Sequence, residues 1–163
     1  MTLRNKTKNS VTAQPPRPSI TKIISVWLAS CLAISAIAIL SEISGHPWIL
    51  GSFGASCVLL FGFPEAAFSQ PRNLFVGHLL CSTIGLLFLN FVGPHWWCMA
   101  LAVSTALVMM LITRSVHPPA GSNAVIIFLT HPDWQFIVFP TFAGAIVLWF
   151  LGYLYQKIMV KIQ

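Results

Sequence analysis

The chain has 163 residues, 56% of them hydrophobic and only 7% charged, and its mean hydropathy is +0.81. Soluble domains carry about 25% charged residues, so this composition excludes a soluble particle. It predicts an all-α, polytopic membrane helical bundle with room for a single domain. The net charge of +6 is not a nucleic-acid signal. Arg4, Lys6, Lys8, Arg17 and Lys22 precede the first apolar run and Lys157 and Lys161 follow the last, the distribution of cytoplasmic flanks.

Residues 1–20 are polar and include Gln14-Pro15-Pro16-Arg17-Pro18, which predicts a disordered basic tail on the cytoplasmic side. Residues 21–158 are expected to form the membrane domain and 159–163 its cytoplasmic end. The first long apolar run, Ile23–Ser41, is too long for a secretory signal and lacks a following cleavage site. A short segment, Pro47–Phe63, comes next. Long runs at Leu74–Val92 and Trp96–Thr113 follow, then a second short segment, Pro118–Thr130, and a last long run, Phe136–Tyr155.

The four long runs suffice to cross a hydrocarbon core of ~30 Å at ~1.5 Å per residue. The two short segments would reach only ~25 Å and ~20 Å as helices. They must re-enter, or complete a crossing with non-helical backbone. Both start with proline, read here as a first-turn position where its missing N–H has no intrahelical partner.

Positive charge favours six crossings. With the N-terminus inside, Arg72 and Arg114 join the other basic residues on the cytoplasmic face, whereas two re-entrant segments would leave both outside. Trp48, Trp96, Trp97 and Trp134 then gather at the outer interface, where tryptophan is enriched. The order long–short–long repeats over about 22–92 and 95–158. A shift of 68 positions lays Phe63-Pro64-Glu65 on His131-Pro132-Asp133, and Gly77 and Gly85 are matched in kind by Gly144 and Gly152. Three crossings per half would make the halves antiparallel, so an inverted repeat is expected. The glycine faces suit close helix packing, within a protomer or in a homo-oligomer.

The two short segments carry the functional signal. Each is glycine-rich: Gly51-Ser52-Phe53-Gly54-Ala55-Ser56 in one, His117-Pro118-Pro119-Ala120-Gly121-Ser122-Asn123 in the other. Paired broken helices point to a transporter's binding site. A helix N-terminus offers free N–H groups and about half a positive charge, which suits a small anion. Gly51, Gly54 and Gly121 would let an ion reach the backbone, and Ser52, Ser56, Ser122 and Asn123 would add donors, unless these serve as caps or interhelical bonds. Arg72 and Arg114 would draw anions to an inner vestibule or act as interfacial anchors, Arg72 pairing with Glu65. His78, about one turn into its run, would carry a coupled proton or bond a facing carbonyl. His117 would line the site or cap the helix begun by Pro118, and Asp133 would N-cap the last helix.

Other classes find less support. Cys31, Cys57, Cys81 and Cys98 lie singly in apolar runs, and His46, His95 and His131 lack ligand spacing, so no metal and no cofactor are expected. Glu42, Glu65 and Asp133 are the only carboxylates and all sit at segment ends. With no nucleophile–base–orienter set visible, an enzyme is not expected. A channel of the same architecture and a structural subunit are the alternatives to a carrier.

The run Arg114-Ser115-Val116-His117-Pro118-Pro119-Ala120-Gly121-Ser122-Asn123-Ala124 resembles the signature of the HPP family of integral membrane proteins. So do Gly51–Ser56, Phe61-Gly62, Pro64, Ser69-Gln70-Pro71-Arg72-Asn73 and Gly77-His78, and the resemblance covers about Lys22–Lys157. It implies a helical membrane protein, usually described with four spanning helices, some relatives of which are associated with nitrite transport. The expected partners are therefore the lipid bilayer and a small inorganic anion. The expected location is a bacterial cytoplasmic (inner) membrane with both termini cytoplasmic.

Overall fold

The computed structural model describes residues 16–162. The expected tail therefore lies outside the described residues as far as residue 15. Among the described residues the chain forms six α-helices, with short 3-10 and π turns attached to them.

Helix α1 spans Ile20–Ser44 and starts earlier than expected because the Ser19 hydroxyl accepts from the Lys22 amide, 3.3 Å away. It ends at Gly45, whose φ of 68° is left-handed and suits a residue without Cβ. Pro47 does not open the next helix. Ser41 Oγ donates to the His46 carbonyl at 2.8 Å and accepts from the Trp48 amide at 3.1 Å, while Trp48 Nε1 donates to Ser44 Oγ at 2.9 Å. These bonds hold residues 46–48 against the end of α1, and the helix begins only at Gly51.

Helix α2 is Gly51–Cys57, continued by a π turn over Val58–Gly62. Together they reach ~18 Å, too short alone for a bilayer. Ser69, in a 3-10 turn (Ala67–Ser69), donates to the carbonyls of Phe63 at 2.6 Å and Leu59 at 3.1 Å, which also accept from the Ala66 and Phe63 amides, and so ties that turn to the end of the π turn. Helix α3 follows at Pro71–Phe91, with proline in its first turn, and α4 at Trp96–Ile112. The latter has 17 residues. The four long spans expected are therefore three, α1, α3 and Trp134–Lys161, with α4 among the shorter apolar helices.

A 3-10 turn at Pro118–Ala120 leads into helix α5, Gly121–Thr130. The last long run is not continuous either. Asp133 Oδ1 accepts from the Gln135 amide at 2.9 Å and caps a 3-10 turn, Trp134–Ile137. A π turn, Val138–Phe142, comes next, with Phe139 non-helical (φ −130°, ψ 122°), and only then α6, Ala143–Ile162. Pro140 accounts for the break, since proline lacks a donor and its predecessor disfavours helix. Helix α6 also outlasts the expected domain end at 158.

Helix α2 and the residues before it connect opposite ends of the bundle. One cavity, of about 460 Å³, is lined by Lys22 of α1, Phe61 and Glu65 at the end of α2, and Tyr155 of α6. Another, of about 800 Å³, is lined by Ser44, Trp48 and Leu50 between α1 and α2, by Thr130 at the end of α5, and by Phe136 before α6. So α2 starts at one end and finishes at the other, its extended approach over 47–50 making up the length. The first short segment therefore runs from one end of the bundle to the other.

Glycines set the closest approaches. A Cβ on Gly85 would lie 3.0 Å from the Ala124 Cα, and one on Gly77 2.9 Å from the His117 Cβ, so α3 packs directly on α5 and its entry turn. Gly144 gives way to the Phe53 ring, and Gly152 faces Leu60, so α6 packs on α2. Small residues at such crossings allow the dense contact that drives helix association in lipid. The apolar core formed around Phe53, Phe61, Leu74, Ile127 and Leu148 is fully or almost fully buried. The outward faces, from Leu32 of α1 to Phe150 of α6, are apolar and exposed, as lipid contact requires.

Candidate functional site

Buried within this apolar bundle is a hydrogen-bonded chain of polar side chains. Ser56 of α2, His78 and Ser82 of α3, His117 before α5, Asn123 of α5 and Thr141 before α6 are all 0% exposed. His117 Nδ1 lies 2.7 Å from the Phe68 carbonyl and its Nε2 2.9 Å from Ser56 Oγ. The same hydroxyl is 3.2 Å from His78 Nε2. His78 Nδ1 is 3.1 Å from Asn123 Nδ2, which also donates to Ser82 Oγ at 2.9 Å. Ser82 Oγ and Thr141 Oγ1 are 2.9 Å apart.

The partners assign the protons. A carbonyl only accepts, so His117 Nδ1 carries its hydrogen. An amide nitrogen only donates, so His78 Nδ1 is an acceptor and its hydrogen sits on Nε2. Ser56 Oγ therefore accepts from His78 and offers its single hydrogen either to His117 Nε2 or to the Ser52 carbonyl, each at 2.9 Å. Turning the Asn123 amide over would make His78 Nδ1 the donor and leave two imidazole lone pairs, on His78 Nε2 and His117 Nε2, competing for the one Ser56 hydrogen. The orientation described satisfies more groups.

Local sequence explains the placement. Ser52 and Ser56, like His78 and Ser82, are four apart and share a helix face. Gly77 lets the His117 backbone come close enough for its ring to reach Ser56. The stretch before His117 is fastened by Arg72, whose guanidinium donates to the carbonyls of Thr113 and Arg114, each at 2.7 Å, and by Asn73, which donates to the Val116 carbonyl at 3.1 Å. Phe53 stands edge-on to His78, ring centroids 5.4 Å apart.

The sequence-derived candidates divide. Ser56, His78, His117 and Asn123 come together. Ser52 is buried beside them on α2, its Oγ without a hydrogen-bond partner, as is Asn123 Oδ1. Gly51 and Gly54 lie on the exposed face of α2 with open space where a Cβ would be. Gly121 is half-buried, and Ser122 Oγ donates to the Pro119 carbonyl at 2.8 Å, a local turn bond. Arg114 is exposed with a left-handed φ of 52°. Arg72 bonds carbonyls rather than Glu65, His78 bonds side chains rather than a carbonyl, and His117 makes no capping bond. Ser82 and Thr141 are members that sequence reasoning missed. Ser82 was signalled by its spacing from His78, and Thr141 by Pro140 inside an apolar run.

Ser56, His117 and the Phe68 carbonyl have the spacing of a hydroxyl, a base and an orienting acceptor. The hydroxyl is fully buried and shared with His78, and none of these residues lines either cavity. The arrangement is suited to holding and passing hydrogens in a closed interior.

The family described as "HPP, transmembrane region" matches residues 15–163. Two Dictyostelium discoideum proteins, each named only as a transmembrane protein, are similar to the chain. One is 34% identical over 147 residues, covering 83% of this chain and 52% of its own length. The other is 35% identical over 148 residues, covering 82% and 47%. The chain thus spans about half the length of the curated relatives it matches. No solved structure matches it significantly.

Proposed function

The chain belongs to the HPP transmembrane family, and from that premise and the buried polar chain we propose that this integral membrane protein is a transporter of a small inorganic anion, with nitrite the first to test. The observation that carries the reading is the convergence of Ser56 from one short helix with His117 and Asn123 from the other, deep inside an apolar bundle. Polar and ionisable groups in such surroundings are expensive and mark solute paths.

Three further features support it. Cavities open at opposite ends, and the polar chain lies between them without lining either, as an occluded carrier requires. All three carboxylates are exposed, so no buried negative charge repels an anion. Ser52 Oγ, with no protein partner, is free to donate to a solute. Asn123 Oδ1 accepts only, so it suits water or the protonated acid of the anion. In this reading the solute is held by hydroxyl, amide and imidazole groups rather than by the amide ends of α2 and α5, and the glycines serve packing. The halves at about 22–92 and 95–158 act as an inverted repeat, the termini face the cytoplasm of a bacterial inner membrane, and the protein is not an enzyme. Burial of the polar chain away from both cavities favours a carrier over an open pore.

The test is flux into liposomes for nitrite, nitrate, chloride and sulfate, with wild type and Asn123→Ala. Nitrite-selective flux that falls at least about fivefold in the variant is expected, since loss of two buried hydrogen bonds costs about 1–3 kcal/mol. Equal rates for every anion and both proteins would remove the basis of the proposal.

A further inference from the structure

His117 and Ser56 together form more than a static contact. The Ser56 hydroxyl has one hydrogen and two acceptors at the same distance, 2.9 Å: His117 Nε2 and the Ser52 carbonyl. When both imidazoles are neutral, the hydrogen points to His117 Nε2 and every ring nitrogen is satisfied. We infer that His117 Nε2 is the seat of one exchangeable proton, and that rotation of the Ser56 hydroxyl onto the Ser52 carbonyl makes room for it.

The hydrogens balance in both states. A proton delivered from solvent water bonds to His117 Nε2 and makes that ring an imidazolium. The hydronium that delivers it loses one O–H bond and leaves as water, and no bond within the protein breaks. Ser56 turns its own hydrogen to the Ser52 carbonyl, and its oxygen then accepts from both His117 Nε2–H and His78 Nε2–H. His117 Nδ1–H keeps its bond to the Phe68 carbonyl throughout. His78 cannot serve in the same way. Its only lone pair, on Nδ1, is held by the Asn123 amide, and protonation there would set two donors against each other. The proton that sequence reasoning gave to His78 therefore belongs one hydroxyl away.

The surroundings of His117 are otherwise quiet. On α3 its neighbour is His78, with ring centroids 5.1 Å apart, and the other titratable or charged side chains of that helix are the buried Cys81 and the exposed Arg72 at its start. Ser56 of α2 and the Phe68 carbonyl of the 67–69 turn bond its ring, and the other titratable or charged side chains on α2 and on its own segment are the buried Cys57 and the exposed Arg114. No carboxylate faces it, since Glu42, Glu65 and Asp133 are exposed. A second proton on His78 would meet a like charge across one hydroxyl, which limits the pair to one. In the transport reading, on which only its use depends, this proton accompanies the anion.

Nitrogen NMR of isotope-labelled histidine tests the inference in the full chain in lipid bilayers. The two buried rings are assigned through Val116–His117 and Gly77–His78 pairs in a His46→Gln background. From about pH 8 to about pH 4, His117 is expected to pass from the Nδ1–H form to imidazolium while His78 stays Nε2–H. The His78 Nε2–H resonance should shift in step with His117, and Ser56→Ala should abolish that linked shift. Protonation of His78 first, two neutral rings throughout, or a linked shift that survives Ser56→Ala would each overturn it. This titration without any anion flux would support the proton seat and refute the transport reading. Flux without the titration would do the reverse.

Discussion

A methyl group on α3 at Gly85 should loosen the bundle, and one on α2 at Gly54 should not. The Gly85 Cβ would lie 3.0 Å from Ala124 Cα and 3.0 Å from Ile127 Cδ1, against an ordinary carbon separation of about 3.5–4.0 Å. Ile127 can rotate away, but Ala124 Cα moves only if α5 moves. Overpacking of this kind costs about 1–3 kcal/mol, and replacing glycine by alanine within a helix returns about 1 kcal/mol. Gly85→Ala should therefore be destabilising by up to about 2 kcal/mol. Gly54→Ala meets no atom within 4 Å and should be neutral or stabilising by up to about 1 kcal/mol. Gly77→Ala adds a specific injury, because its methyl group would displace the His117 Cβ, 2.9 Å away, and with it the ring's bonds to Phe68 and Ser56. Reversible unfolding in mixed micelles measures the stabilities, and liposome flux measures the site. Gly85→Ala as stable as Gly54→Ala, or Gly77→Ala with wild-type flux, would refute the packing argument.

Substitutions at three other positions separate fastening from function. Arg72→Gln should lose the bonds to the Thr113 and Arg114 carbonyls, speed hydrogen exchange in the last turn of α4 and cost about 1 kcal/mol, as for a cation at a helix C-terminus; Arg72→Lys should recover part of it, lacking the two-pronged geometry. In a double-mutant cycle on unfolding, Ser82→Ala and Thr141→Val should couple by about 1 kcal/mol, with Ser82→Ala the costlier single change because Ser82 also accepts from Asn123.

Composition and run length made the membrane bundle legible, and the glycine- and proline-rich stretches located both short helices. Their entry points were harder. Pro47 resembled a helix start, but Ser41 and Ser44 hold the following residues extended, and those bonds join positions that only the turn after α1 brings together. The break before α6 was visible as Pro140, yet hidden by hydropathy, which weighs a proline inside an apolar run as merely less greasy. At the site, residue type was the better guide. His78, His117, Asn123 and Ser56 are costly to bury and were found together. Gly51 and Gly54 were selected because glycine exposes backbone, but orientation about the helix axis decides what that backbone faces, and α2 is too short for a clear apolar face to reveal it. Arg72 was read by charge when its donor geometry was what mattered.

The partners of the glycines explain why the polar chain sits where it does. Gly77 and Gly85 belong to α3 of the first half, yet they pack on His117 and α5 of the second; Gly144 and Gly152 belong to α6, yet they receive Phe53 and Leu60 from the first. Each long helix thus clasps the short helix of the other half. A helix of ~18 Å cannot bury its own ends in a bilayer, and its open backbone groups need protein around them. The clasp supplies that protein and, in the same step, draws Ser56 and His117 to 2.9 Å across the seam. Apart from Ser56–His78, the other links cross the same seam, since His78 and Ser82 come from one half and Asn123 and Thr141 from the other. Separation of the halves would dismantle the site before it unfolded any long helix. A rocking motion at that seam would make and break the Ser56–His117 bond directly, which is where a carrier would place the group that couples its proton to its solute.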